Sequence, residues 1–275
     1  MPVIATNTSA NAALRYLNLN SAEQSDALNR LASGSRINKA SDDAAGLAVA
    51  TKLSSDVSVL NQAQTNASHA SSVLQTADGG ASQISDILER MKELVAQSLS
   101  GAVTDDERAY IDAEFSQLIE EIDSIATGTR FNGEALLDGT GDHAAGVDYL
   151  VGTDVASDTL TVTIDDLSAA TLAVDALTVG TQADATTAAA AIDTAIDTVA
   201  AARADLGAQM SRFEYHSNQL ANAEENLSAA QSAIIDADVA EEQTNLSSAQ
   251  VKTNAAIAAL SAANDMPQSL LQLLQ

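Results

Sequence analysis

From Ile192 to Ile234, alternate steps of four and three fall on Ile192, Ile196, Val199, Arg203, Leu206, Met210, Phe213, Ser217, Leu220, Glu224, Leu227, Gln231 and Ile234, and nine of these thirteen positions are apolar. That spacing is a heptad seam sustained over about six repeats. No Pro interrupts it and its only Gly is Gly207, so the pattern predicts one helix of roughly 60 Å at about 1.5 Å rise per residue. A helix that long needs partners along its flank.

The same spacing runs through Leu53, Val57, Leu60, Gln64, Ala67, Ser71 and Leu74 and predicts a second rod. Gly79 and Gly80 weaken it by about 1 kcal/mol each relative to Ala. Ile84, Ile87, Leu88, Met91, Leu94 and Val95 then resume the apolar stripe, and the helix is expected to end near Gly101. Thr104-Asp105-Asp106-Glu107 spells a capping box, followed by a third seam of Ile111, Phe115, Leu118, Ile122 and Ile125 that stops near Gly128.

Between Asn132 and Thr186 alternation replaces the heptads. Val147, Tyr149 and Val151, then Leu160, Val162 and Ile164, alternate with polar neighbours and predict a hairpin across Gly152 to Asp158. Leu172, Val174, Leu177 and Val179 read as a further strand, and Asp184 or Thr186 as the cap of the long helix.

The ends are weaker. Leu14, Leu17, Leu28 and Leu31 share a register whose other two positions are Ser21 and Gln24, and the stretch stops at Gly34. Residues 36–43 form a polar connector in which Ser41, Asp42 or Asp43 caps the next helix. After Ile234 the segment Asp236-Ala237-Asp238 breaks the register, and Val239, Leu246, Thr253 and Leu260 restart a sparser one. Neither terminal helix is stable alone, so both are expected to order on packing against something else. Leu270, Leu271, Leu273 and Leu274 crowd the end after Pro267 and mark an interaction site.

Composition narrows the fold class. Three Phe, four Tyr and no Trp in 275 residues leave few large aromatics for a globular core, whereas helix-on-helix seams need only small and aliphatic residues. The expectation is a mainly α chain of long antiparallel coiled-coil-like rods with a small β-hairpin insertion. A net charge of −26 argues against nucleic acid and anionic membranes as partners and favours assembly in added salt. The N-terminus lacks a secretory signal pattern, and no apolar run approaches about eighteen residues. With no Cys, disulfides and thiol chemistry do not arise.

Catalytic chemistry finds no foothold. His69, His143 and His216 are isolated, and no zincin motif, nucleophile elbow or phosphate loop appears. No cofactor or metal is expected: Asp165-Asp166 and Asp236-Ala237-Asp238 lack EF-hand spacing and read as caps or turns. Arg203 and Glu224 read as the solvated edge of the long seam, with a register-setting role as the alternative.

Against this pattern the residues from Leu28-Asn29-Arg30-Leu31-Ala32-Ser33-Gly34-Ser35-Arg36-Ile37-Asn38-Lys39 through Ala40-Ser41-Asp42-Asp43-Ala44-Ala45-Gly46-Leu47-Ala48 closely resemble the N-terminal signature of bacterial flagellins. Leu206-Gly207-Ala208, Arg212-Phe213-Glu214, Glu225-Asn226-Leu227-Ser228-Ala229-Ala230, Asp236-Ala237-Asp238 and Met266-Pro267-Gln268-Ser269-Leu270-Leu271 agree at the other end. The resemblance implies a subunit that polymerises into the flagellar filament, the propeller for swimming, exported through the flagellum's type III apparatus to the cell exterior. It implies an inner-tube helix pair at 1–42 with 236–275, and an outer-tube rod domain at 43–235 that includes the β region at about 140–180. Leu14, Leu17, Leu28, Leu31, Leu246, Leu260, Leu270 and Leu271 are then the polymerisation residues. The central region resembles a near-minimal member without large outer domains.

Implied partners are other copies of the chain, hook-junction and cap proteins, an export chaperone and the vertebrate Toll-like receptor for flagellin. The stretch Leu88 to Ser98 is similar to the one that receptor reads, which singles out Arg90, Leu94 and Glu114. In the filament, Arg90 is equally a solvated rod charge and Leu94 a packing residue. Alternatives are a hook–filament junction protein, which shares related ends, and a surface adhesin or receptor ligand.

Overall fold

The computed structural model describes residues 6–273 except residue 155, with side chains described as far as residue 266. The chain divides into two compact units, the middle unit Ser58–Glu225 and the terminal unit Met1–Val57 with Asn226–Gln275. In chain order the helices are α1 (Thr8–Ser33), α2 (Ala44–Leu99), α3 (Asp105–Gly128), the short α4 (Asp142–Ala145), α5 (Gln182–Ile235) and α6 (Val239–Leu273). The strands are β1 (Arg130–Phe131), β2 (Glu134–Ala135), β3 (Val147–Leu150) and β4 (Thr159–Val162). The protein is mainly α, as the seams predict.

In the middle unit α2 and α5 run antiparallel. Asn61 donates to Glu224 at 3.0 Å, Arg203 pairs with Asp78 at 2.9 Å, Lys92 with Asp193 at 2.6 Å, and Gln182 donates to the Leu99 carbonyl at 3.3 Å. Their buried stripes correct the predicted registers by one residue at every second position. On α2 the stripe is Leu60, Ala63, Ala67, Ala70, Leu74, Ala77, Ala81, Ile84, Leu88, Met91, Val95 and Ser98, so Gln64 and Ser71 give way to Ala63 and Ala70. On α5 it runs Ala185, Ala188, Ile192, Ala195, Val199, Ala202 and Leu206, then Phe213 and Leu220, so Ile196 and Arg203 give way to Ala195 and Ala202. Alanine takes these facing positions on both helices, and the larger Gln64, Ile196 and Arg203 lie half-buried on the flank, as expected where small residues line the contact of a helix pair. Arg203 and Glu224 therefore lie at the half-exposed edge, each with a partner across the pair.

Helix α3 packs back on α2. Its buried face is Arg108, Ile111, Phe115, Ile119, Ile122 and Ala126, in place of the predicted Leu118 and Ile125, which are half-buried. Thr104 and Glu107 form the predicted capping box, and hydrogen bonds from Thr104 to the Glu107 carboxylate hold that acid below its usual pKa. The Arg108 guanidinium closes the corner by donating to the carbonyls of Ser98 at 2.9 Å and Ser100 at 3.1 Å, which satisfies acceptors left open at the end of α2. Gly80 lets α2 meet the α3 exit closely: a Cβ there would stand 2.4 Å from Thr129 Oγ1 and 2.7 Å from Leu137 Cδ1. Gly79 has nothing within 4 Å.

The predicted hairpin forms as β3 and β4, paired Val147 with Val162 through Leu150 with Thr159. A second hairpin, β1 with β2, turns through Asn132 and Gly133 at φ 52° and 89°. An Asn-Gly pair of left-handed residues is the strongest short hairpin signal, and it stood unread in the sequence. The strand expected from Leu172 to Val179 does not form. Leu172, Val174 and Val179 are buried, but the segment closes on itself through Leu172 N–H to Ser168 and Val174 N–H to Ala169. The N–H groups of Ala169 and Val179 go to Asp123 and Asp112 of α3 at 2.8 and 2.7 Å, which leaves no ladder to build. The cap of α5 is Thr181, with Asp184 as its reciprocal partner at the third helical position.

Candidate functional site

The terminal unit is built on the antiparallel pair α1 and α6. Asn7 donates from Nδ2 to the Ala263 carbonyl at 2.7 Å, Lys252 pairs with Glu23 at 3.4 Å, and Arg30 with Glu242 at 3.2 Å. At the base, Ser35 bridges to Asp236, Ala237 N–H donates to Gly34 at 2.9 Å, and Arg36 reaches the Ile234 carbonyl at 2.7 Å. Gly34, left-handed at φ 69°, ends α1 as expected, and Asp238 caps α6 through the N–H groups of Ala240 and Glu241. Of the three candidate caps before α2, Asp43 does the work, accepting from Ala45 and Gly46. Asp42 turns back on Asn38 and Lys39, whose backbone donors depress its pKa.

The seam between α1 and α6 is thin. From α1 it takes Ala10, Ala13, Leu17, Asn20, Gln24, Ala27 and Leu31, all buried or half-buried; from α6 it takes Glu242, Leu246, Ala249, Thr253, Ala256, Leu260 and Ala263. Two features weaken it further. Glu242 is buried and depends on the half-exposed Arg30 for its charge, and the buried Thr253 hydroxyl has no hydrogen-bond partner among the described residues. An unmet hydroxyl of this kind costs about 1–3 kcal/mol.

The residues singled out from the sequence therefore separate. Leu17, Leu31, Leu246 and Leu260 lie in the seam. Leu14 and Leu28, expected there, each keep 45% of their surface exposed, because the alanine-rich register rotates them to the flank. Val239 likewise faces out rather than in. Leu270 and Leu271 belong to α6 by backbone, but their side chains lie outside the described residues. Sequence reading missed Tyr16, Leu19, Val251 and Ile257, all exposed; their signal was an apolar residue falling outside the seam on a helix already short of apolar residues.

In the middle unit Arg90 grips Glu114 of α3 through Nε at 3.1 Å and a terminal nitrogen at 2.8 Å, and Glu93 at 2.8 Å. Donation of hydrogen bonds to the Glu114 carboxylate is the main cause that raises the Arg90 pKa, and donation to Glu93 adds to it. Leu94 is 1% exposed, so its side chain is sealed from solvent. Among the described residues no group of three or more His, Cys, Asp or Glu could hold a metal ion. Asp166 is taken by Ser168 and Thr171 within its own turn. No described helix is long and apolar enough to cross a membrane.

The bacterial flagellin N-terminal helical region matches residues 4–142, and the bacterial flagellin C-terminal helical region matches residues 189–274. The chain belongs to the bacterial flagellin family. This flagellin is 38% identical to the flagellin of Halalkalibacterium halodurans over 274 residues, covering 99% of this chain and 100% of that one. It is 38% identical over 271 residues to the flagellin of Listeria innocua, covering 94% of each. It is 37% identical over 290 residues to the flagellar filament 30.7 kDa core protein of Treponema maltophilum, covering 99% of each. Among solved structures it resembles the crystal structure of Bacillus cereus flagellin, with TM-score 0.51 and 33% identity over 57% of this chain and 88% of that one. A putative flagellar hook-associated protein from Vibrio parahaemolyticus aligns at TM-score 0.59 and 16% identity, over 71% of this chain and all of that one, and shares the fold alone.

As a flagellin, the protein is a structural subunit of the extracellular flagellar filament, and its small size fits a core-only member of the family. Type III export is consistent with that family.

Proposed function

We propose that this flagellin polymerises through its terminal unit, which lines the inner tube of the filament, while the middle unit forms the outer tube and meets solvent. One observation carries the proposal: apolar exposure and charge are divided between the units in opposite ways. Among the described residues, nine of the eleven exposed large apolar side chains belong to the terminal unit. That unit carries ten acidic and six basic residues, net −4, whereas the middle unit carries 28 acidic and six basic, net −22. A nearly neutral surface with exposed apolar residues can pack against copies of itself; a surface at −22 repels its neighbours unless salt screens it.

The subunit acts as a building element; His143 Nε2 lies 3.2 Å from the Tyr149 hydroxyl and its Nδ1 3.5 Å from the Glu134 carboxylate. Hook-junction and cap proteins, an export chaperone and the vertebrate Toll-like receptor for flagellin are further proposed partners. For the receptor, Arg90 and Glu114 are accessible and Leu94, buried in the middle unit, acts through packing.

The test is assembly of purified protein followed by light scattering and electron microscopy as ionic strength is raised. Micrometre-scale filaments whose onset moves to lower protein concentration with added salt are expected. Persistent monomer at every salt concentration, with or without seeds, overturns the proposal.

A further inference from the structure

At one height along the α1–α6 pair the two flanks differ in kind. On one flank Ala13, Tyr16, Leu19 and Glu23 of α1 face Lys252, Ala255, Ala256 and Ala259 of α6 across an open groove of about 590 Å³. Its floor is alanine with the half-buried Asn20; Tyr16 and Leu19 form its rim with the Arg15 guanidinium 5.6 Å from the Tyr16 ring centroid, and the Lys252–Glu23 pair lies at one end. On the other flank stand Leu14 and Ile257, 45% and 52% exposed. At 3.6 residues per turn, Leu14 falls on the side of the Leu17–Gln24–Leu31 line away from Tyr16 and Leu19, and Ile257 on the side of the Leu246–Ala249–Ala256 line away from Ala255 and Ala259. The antiparallel register set by Asn7 with Ala263 and Glu23 with Lys252 puts Leu14 and Ile257 level with each other and level with the groove. One hairpin thus carries a branched aliphatic ridge and an alanine-floored groove on opposite sides.

We infer that the ridge of Leu14 and Ile257 on one copy seats in the groove between Tyr16, Leu19 and Ala259 on the next, so that the terminal hairpins associate side by side and head to tail. The inference rests on the proposed polymerisation through the terminal unit and specifies its geometry. Two different patches on one subunit make a heterologous contact, which cannot close as a two-fold dimer and instead propagates as a ring or helix. Ridge and groove are complementary in shape: alanine leaves the volume that branched side chains fill, the same device that brings α2 and α5 together inside the middle unit. They are also compatible in charge: neither ridge residue is ionisable, the Lys252–Glu23 pair at the groove is matched, and Arg15 at the rim lies over the Tyr16 ring.

The chain has no Cys, so introduced thiols report without background. Ile257→Cys combined with Ala259→Cys places one thiol on each flank. When filaments of this double variant are treated with a short bis-maleimide, a ladder of dimers, trimers and higher multimers is expected, while each single variant stays monomeric. Dimers from Ile257→Cys alone show ridge meeting ridge and overturn the inference, as do filaments that form but give no ladder.

A second pair of variants covers failure of the thiol variants to assemble. Leu14→Glu with Ile257→Glu blocks the ridge; Ala255→Glu with Ala259→Glu blocks the groove. With helicity unchanged by circular dichroism, neither should elongate alone, and either one added to wild type at one part in ten should shorten filaments about tenfold by capping one end. Elongation of the ridge-blocked protein at the wild-type rate overturns the inference. Wild-type filaments in the same micrographs test polymerisation separately, so loss of the ladder alone counts against the ridge and groove only.

Discussion

In the middle unit Leu74, Ile84, Leu88, Met91, Phe115 and Ile192 are all sealed from solvent. In the terminal unit the best-buried seam positions are Ala27, Leu246, Ala249, Ala256, Ala263 and the charged Glu242. Both units use the same three-and-four spacing and the same alanine-lined helix pairing. The difference is what covers the second face. In the middle unit α3 and the β1–β2 and β3–β4 hairpins cover α2 and α5, so Val73 and Leu94, which lie off the main seam, are buried too. Among the described residues of the terminal unit α1 and α6 pack chiefly on each other, and Leu14, Tyr16, Leu19, Leu28, Val251 and Ile257 stay in water. A heptad pattern therefore says that a helix pairs, while the count of faces it can fill says whether the pair is complete inside one chain.

The contrast is broken most forcefully at the cores. Phe115→Ala should lower the stability of the monomer by about 3–5 kcal/mol, the range for emptying a sealed aromatic site, seen as an earlier midpoint in denaturant unfolding. Leu246→Ala, buried in the terminal seam, should leave that midpoint in place and raise the salt needed for assembly. Equal midpoint shifts from the two would mean that the units unfold as one and that the contrast is false.

A smaller effect comes from adjacent glycines. Gly80→Ala forces a methyl against Thr129 and Leu137 and should cost about 1–3 kcal/mol by overpacking. Gly79→Ala meets open space and should stabilise by about 0.5–1 kcal/mol through helix propensity. Thermal unfolding of the two variants should move in opposite directions; a loss at Gly79 would place an unseen neighbour there.

The smallest effects lie at the caps. Thr104→Ala should cost about 1 kcal/mol. The Glu107 carboxyl is held below its usual pKa, chiefly by the Thr104 backbone N–H and then by the Thr104 hydroxyl. The folded form therefore binds that proton more weakly than the unfolded chain does. Its contribution is complete above the ordinary carboxylate range and is lost as the pH falls through and below it. Monomer stability should decline on acidification in that window, with a slightly shallower decline in Thr104→Ala, which removes the hydroxyl donor and keeps the backbone N–H; identical pH profiles would mean that the Thr104 hydroxyl contributes nothing.

Helix existence was legible throughout, because long runs without Pro and with heptad spacing leave little choice. The rods, the Thr104 box, the Gly34 stop, the β3–β4 hairpin and the break after Ile234 all follow from local chemistry. Facing was legible only to one residue. Gln64 against Ala63, or Ile196 against Ala195, cannot be ranked by hydrophobicity, since close approach of two backbones favours the smaller residue and that approach is a property of the pair. The stretch from Leu172 to Val179 misled for a related reason: its apolar residues are buried by a strap whose N–H groups are claimed by Asp112 and Asp123 on a distant helix. The exposed flanks of α1 and α6 were the least legible, because placing Tyr16 or Ile257 outside requires knowing the seam first.

The central claim is that the middle unit is complete in one chain and the terminal unit is completed by neighbours. Amide hydrogen exchange of monomer and filament, compared segment by segment, tests it most directly. The account predicts that α3 and residues 60–98 of α2 are protected in both states, while α1 and α6 exchange quickly in monomer and become protected in filament. Protection of α1 and α6 in the monomer equal to that of residues 84–98 would contradict it.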